Sequence, residues 1–165
     1  MECYNPSKEL QPIYVTAIIP SYNPCERILT LVLQLCQQKF TEIIVVNDGS
    51  DERCLPIFHT LEKDFGCTVL THPCNKGKGQ ALKTAFVHYL ATPVTQLGVI
   101  TLDDDGQHSV DDVVACAKAL VEHGNALVLG VRDFRFAHVP PKSKYGNRLT
   151  SVLLAMFCGL HITDT

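Results

Sequence analysis

The 165-residue sequence has no Cys-x-x-Cys pair, no uncharged run of bilayer length, no apolar N-terminal signal and no excess of basic charge. Its eight cysteines, at positions 3, 25, 36, 54, 67, 74, 116 and 158, stand apart, several in apolar surroundings such as Leu35-Cys36 and Phe157-Cys158. Reduced, mostly buried thiols are the simpler expectation than a disulfide framework or a zinc knuckle. The uncharged run Leu149 to Thr163 has fifteen residues, whereas a spanning helix needs about twenty mostly apolar ones. It can line a core or lie in a membrane surface. Glu2 and Lys8 sit where a secretory signal would need an apolar stretch, so cytoplasmic exposure is the default. With 14 basic and 17 acidic residues the formal charge is -3, which argues against a nucleic-acid binder working through a broad basic surface. The length suits one domain with a real core.

What is present centres on Val99 to His108, VITLDDDGQH. Apolar and β-prone residues run into three aspartates, a glycine, a glutamine and a histidine, as when a buried strand opens at its C-terminal end into a polar site. Three adjacent carboxylates repel one another, so something positive should compensate them. On an extended backbone Asp103, Asp105 and Gln107 share a side while Asp104 points away. Two carboxylates and an amide suit Mg2+ or Mn2+, with a substrate's phosphates completing the shell. An acidic turn in solvent is the alternative from pattern alone.

In chain order, residues 1–12 form a loose leader and Ile13 to Ile19 a strand ended by Pro20-Ser21-Tyr22-Asn23-Pro24. Ile28, Leu31, Leu35 and Cys36 predict a helix. Ile43 to Val46 predicts a strand, Asn47-Asp48-Gly49-Ser50 its turn, and a helix with Asp51-Glu52 in its first turn runs to about Asp64. Cys67 to Leu70 is a third strand, and a helix containing Ala81, Ala85 and Tyr89 follows Lys76-Gly77-Lys78-Gly79. Leu97 to Leu102 is a fourth strand. Ser109 is expected to cap a helix over Val110 to Glu122, with Asp112 as an acidic capping-box partner. Ala126 to Leu129 supplies a fifth strand. Crossovers of these lengths imply a mostly parallel sheet covered on both sides. The unusual residues then gather beyond the C-terminal strand ends, where open α/β sheets bind ligands.

Each cluster has a functional and an ordinary interpretation. Asp48 can accept from a base or hydroxyl and Ser50 can donate or accept, but Asn-Asp-Gly-Ser is also common turn chemistry. Tyr22 can stack on a base or be a half-buried loop aromatic. Lys76 and Lys78, with two glycines before a helix, can attract phosphate or form a tight turn. The dinucleotide glycine pattern fails there because Leu82 stands at its third glycine, and Walker A spacing is absent. Arg132, Arg135, Lys142, Lys144 and Arg148 form a basic segment that can hold a second phosphate or remain a solvated face. His108 acquires no triad role by mere presence.

Taken together, IIPSYNP at 18–24, EIIVVNDGSDE at 42–52, NKGKGQAL at 75–82, ITLDDDGQH at 100–108, GVR at 130–132, SKYGN at 143–147 and the DT at 164–165 resemble the inverting family 2 glycosyltransferases of GT-A fold. The resemblance is greatest to the branch that makes dolichyl- and polyprenyl-phosphate sugars. It implies a GT-A (Rossmann-like) α/β fold, with residues 13–165 as part of a catalytic domain incomplete at its C-terminal end. By resemblance, Pro20, Tyr22 and Asp48 surround the donor nucleoside, with Asp104 nearby and Ser50 supporting the loop. Lys76 and Lys78 also belong to the donor side. Asp103 and Asp105 match the metal-binding Asp-x-Asp, and Gln107 joins the metal shell. Arg132 resembles an acceptor-phosphate arginine, and Lys144 stands where the branch usually has another. Lysine keeps that charge but loses the planar bidentate fork.

The implied reaction moves a hexose from a nucleoside diphosphate sugar, UDP-glucose or GDP-mannose, to a lipid phosphate at a membrane surface. Mg2+ or Mn2+ would offset charge on the nucleotide leaving group. The resemblance implies no nucleic-acid partner and sets no oligomeric state. It places the chain in the cytoplasm, peripheral at the cytoplasmic membrane face. A saccharide acceptor, a sugar-1-phosphate nucleotidyltransferase and a noncatalytic nucleotide-sugar module are the alternatives.

Overall fold

A computed structural model describes residues 11–92, 96–106, 109–124 and 126–130. Its strands are β1 (Thr16–Ser21), β2 (Ile43–Asn47), β3 (Thr68–Thr71) and β4 (Val99–Thr101). Its helices are α1 (Arg27–Gln37), α2 (Leu55–Lys63), α3 (Lys78–Ala91) and α4 (Val110–His123). All of them fall in the first of two compact units, Met1–Val128 and Leu129–Thr165. The strands form one parallel sheet in the order β3-β2-β1-β4. The fold is α/β, with helices on both faces of the sheet.

Side-chain alternation builds two cores. Val15 just before β1, Ala17 and Ile19 of β1, and Ile43 and Val45 of β2 face α1, α2 and α4, which contribute Leu31, Leu35, Phe58, Leu61, Val113 and Ala117. Ile18, Ile44 and Val46 point the other way, onto Ala81 and Ala85 of α3. The helical faces follow the expected spacing: Ile28, Leu31, Val32 and Leu35 are the buried residues of α1. That helix closes in a Schellman turn, with Lys39 at φ +66° and the Phe40 amide bonded to the Leu35 carbonyl at 3.2 Å.

Several expectations need correction. The first strand is not ended by Pro20 but runs through it to Ser21. The Thr16 amide bonds to Gly98 on the β4 side and the Ala17 amide to Glu42 on the β2 side. Pro20, four residues after Thr16, therefore directs its donorless nitrogen toward β4. There the ladder has already ended at the Ile18–Thr101 pair, so no hydrogen bond is forfeited. Ile13 makes only an isolated bridge to Phe40. The helix after β2 is split into a 3₁₀ turn, Glu52–Cys54, and α2, with Pro56 near the start of α2 where its missing amide costs nothing. Ser109 stands at the N-cap of α4 but makes no side-chain capping bond.

The fifth strand is absent: residues 126–130 carry no regular structure, and Leu127 and Leu129 are 85% and 51% exposed. Among the described residues no strand pairs with this segment, and four apolar residues in a row do not make a strand alone. The six described cysteines are free, but only Cys54 and Cys67 are buried, while Cys25 and Cys74 are exposed. The expectation of mostly buried thiols was too broad. Cys67 is the extreme case: burial, aided by the nearby Cys36, pushes its thiol up to about 12. Leu149 to Thr163 lies outside the described residues.

Candidate functional site

The strand order reverses between β1 and β4. The chain steps from β1 outward to β2 and β3, then returns through α3 to the opposite side of β1. Ligand crevices of open α/β sheets lie at such a switch point, beyond the carboxyl ends of the strands. A cleft of about 390 Å³ occupies this position. Its walls come from Pro20, Ser21 and Tyr22 at the end of β1, Asp48 after β2, Asn75, Gly77, Lys78 and Ala81 around the start of α3, and Asp103, Asp104 and Asp105 after β4.

The ladder bonds run one residue past the strand ends and fix how the chain leaves the sheet. The Asp48 amide bonds to Ser21, the His72 amide to Asn47 and the Leu102 amide to Ile18, each at 2.9 Å. β4 stops at Thr101, and the aspartates lie on a turn that Gly106 closes at φ +72°. Extended alternation therefore stops before them, and all three line the cleft. Their compensation is specific. The Ser21 hydroxyl donates to Asp104 Oδ2 at 2.6 Å, and Lys78 Nζ pairs with Asp103 across the cleft.

Asp48 is 3% exposed, and its carboxylate ties three segments together. Oδ1 accepts from His72 Nδ1 at 2.6 Å and from the Lys76 amide at 3.0 Å, and Oδ2 accepts from the Gly77 amide at 2.8 Å. Burial alone would raise its pKa. The bonds from His72, Lys76 and Gly77, with the charge of His72, outweigh burial and hold it below the usual carboxylate range. Gly49 lets this assembly close: at φ +69°, a Cβ there would fall within 2.5 Å of the Asn75 nitrogen. Ser50 does not line the cleft. Its hydroxyl accepts from the Asn23 amide at 2.9 Å, and Asn23 Oδ1 accepts from the Asp51 amide at 2.8 Å, stitching the β1 and β2 loops.

The cleft thus brings together Pro20, Tyr22, Asp48, Lys78, Asp103, Asp104 and Asp105. Lys76 contributes its backbone amide to Asp48. Gln107, His108, Arg132 and Lys144 lie outside the described residues. Among the described residues no cluster of three or more His, Cys, Asp or Glu side chains is arranged to hold a metal ion. Ser21 and His72 also shape the site, with little local signal in the sequence. Ser21 stands within the run 20–24, and its partner Asp104 is 83 residues away in sequence. The only signal for His72 was its place directly after a strand, beside a turn rich in glycine and lysine.

The sequence pattern described as Glycosyl transferase family 2 matches residues 16–162. The chain belongs to this family. Among its relatives within and around it, a UDP-N-acetylglucosamine--dolichyl-phosphate N-acetylglucosaminyltransferase of Methanococcus voltae is 27% identical over 90% of this chain and 64% of its own length. A dolichyl-phosphate beta-glucosyltransferase, ALG5A, of Trichomonas vaginalis is 30% identical over 73% of this chain and 40% of its own. The chain thus spans less than two thirds of the length of either relative. Among solved structures, S. aureus TarS matches 79% of this chain and 24% of its own at a TM-score of 0.53 and 22% identity, a likeness of fold. Among the described residues, no helix of this family 2 chain is long and apolar enough to cross a membrane.

Proposed function

We propose that this chain is part of a metal-assisted glycosyltransferase that moves a hexose, with inversion, from a nucleoside diphosphate sugar to a polyprenyl or dolichyl phosphate. The single feature that carries this assignment is the cleft at the β1/β4 switch point, with three carboxylates on one wall and the first turn of α3 with Lys78 on another. Relatives whose names include dolichyl phosphate, among them the two described above, support it.

A nucleoside diphosphate offers a flat base, ribose hydroxyls and two anionic phosphates. Tyr22 provides an aromatic face for the base, and Pro20, Asp48 and Asp104 the surrounding wall, with Ser50 bracing the loop. Lys78, the start of α3 and the Lys76 turn favour the phosphates. Asp103 and Asp105 offer only hard carboxylate oxygens, a donor set that fits Mg2+ or Mn2+. Two such ligands suffice when a donor's phosphates complete the shell, and Gln107 is proposed to join them. When bound, the ion would offset negative charge developing on the leaving nucleotide. Arg132 and Lys144 are assigned to the acceptor phosphate. That acceptor is already anionic, so no protein base has to create the nucleophile. In this assignment residues 13–165 belong to one catalytic domain that works at the cytoplasmic face of a membrane, and residues 1–12 are a leader.

The test is calorimetric titration with UDP-glucose, UDP-N-acetylglucosamine, GDP-mannose, UDP and GDP, with and without Mn2+. Binding of one base series, dependent on Mn2+, is the expected result. Binding of neither series in the presence of Mn2+ would remove the donor assignment. Sugar transfer to a free saccharide in preference to a polyprenyl phosphate would replace the acceptor.

A further inference from the structure

His72 lies at the end of β3, is 7% exposed and does not line the cleft. Both of its ring nitrogens are nevertheless engaged. Nδ1 is 2.6 Å from Asp48 Oδ1, and Nε2 is 2.9 Å from the Thr84 hydroxyl on α3. An ionised carboxylate only accepts, so the Nδ1 proton lies toward Asp48. The imidazole therefore fixes the carboxylate from behind, and the carboxylate in turn holds the amides of Lys76 and Gly77. Gly77 is the N-cap of α3 at φ +88°, and the next residue, Lys78, reaches Asp103 on the far wall. A buried polar relay thus runs from the body of α3 to the turn that borders the cleft.

We propose that His72 is a positioning residue of the donor site: through Asp48 it holds the Lys76–Lys78 turn in the conformation that receives a nucleoside diphosphate. This rests on the donor assignment above. The contact that matters is the one from Nδ1, because Asp48 is the member of the relay that holds the turn. An asparagine places its amide nitrogen near the Nδ1 position, whereas a glutamine reaches toward the Nε2 position. The two amides therefore separate the Asp48 contact from the Thr84 contact.

The experiment compares wild type, His72→Asn and His72→Gln in the full chain. The readouts are Mn2+-dependent UDP and GDP affinity, thermal midpoint, and hydrogen-exchange protection of the Lys76 and Gly77 amides. His72→Asn is expected to keep amide protection and bind the preferred nucleotide within about threefold of wild type. His72→Gln is expected to lose protection at both amides and bind about tenfold or more weakly, at a midpoint similar to that of the asparagine variant. Equal losses in both variants, or none in His72→Gln, would overturn the proposal. Should His72→Gln fail to fold, His72→Leu replaces it, since it removes the Nδ1 donor to Asp48 without adding another polar group. Protection and affinity falling together in that variant support the relay, and neither moving overturns it. Failure of wild type to bind either nucleotide defeats the donor assignment, whereas normal wild-type binding with amide protection independent of His72 defeats this proposal alone.

Discussion

Tyr22 and Asp105 line the same cleft but would meet different parts of a donor. Tyr22 is 50% exposed, so its ring contributes little to the fold and is available to stack. Aromatic stacking is worth about 0.5–1.5 kcal/mol beyond buried area, so Tyr22→Ala should weaken nucleotide binding about threefold to tenfold and leave the melting temperature in place. Asp105→Asn keeps the side-chain volume and removes the charge. It should abolish the gain in nucleotide affinity that Mn2+ provides while leaving metal-free binding intact. Titration of each variant with and without Mn2+ checks both expectations, and an undiminished Mn2+ effect in Asp105→Asn would strike that residue from the cation site.

At the scale of elements, α3 is held to the sheet by two alanines. Ala81 and Ala85 are fully buried against Ile18, Ile44 and Val46, so the helix sits close and its first turn reaches the cleft. Ala85→Leu would force the two layers apart. Overpacking of this kind costs about 1–3 kcal/mol, which should appear as a lower urea midpoint with an unchanged slope. Leu90→Ala, on the same helix at a position 74% exposed, should leave the midpoint alone. This packing was legible beforehand because apolar runs bounded by turn residues mark strands, and alanines four apart mark a helix face. The four paired strands and the helices between them were recovered on that basis. The segment 126–129 misled because composition says nothing about whether a pairing partner is within reach. The aspartates announced themselves by following an apolar run. The contacts that orient the site did not, because Ser21 with Asp104 and His72 with Asp48 join residues far apart in sequence, and no local pattern encodes them.

For the molecule as a whole, the bonds that close on Asp48 make stability depend on pH. Its folded pKa is depressed by hydrogen bonds from His72, Lys76 and Gly77 that overcome the opposing effect of burial, so the unfolded chain takes up the proton first. The contribution is complete above the ordinary carboxylate pKa and is lost as pH falls through the depressed folded value. Denaturation midpoints of wild type should therefore drop on acidification below the ordinary carboxylate range. Asp48→Asn should begin lower at neutral pH and show a smaller acid drop, as followed by thermal melts across that range.

The chain's passage through Pro20 bears on how the cleft stays open. Parallel strands lengthen their pairing like a zip, one amide at a time, and β1 has no amide to offer at the next tooth facing β4. The residues that follow Thr101 thus meet no further backbone amide of β1 facing them and leave the sheet as a turn, with Asp104 tied back to β1 through the Ser21 hydroxyl instead. One imino acid acts as the stop on that zip, and the gap it preserves is the one the three aspartates line.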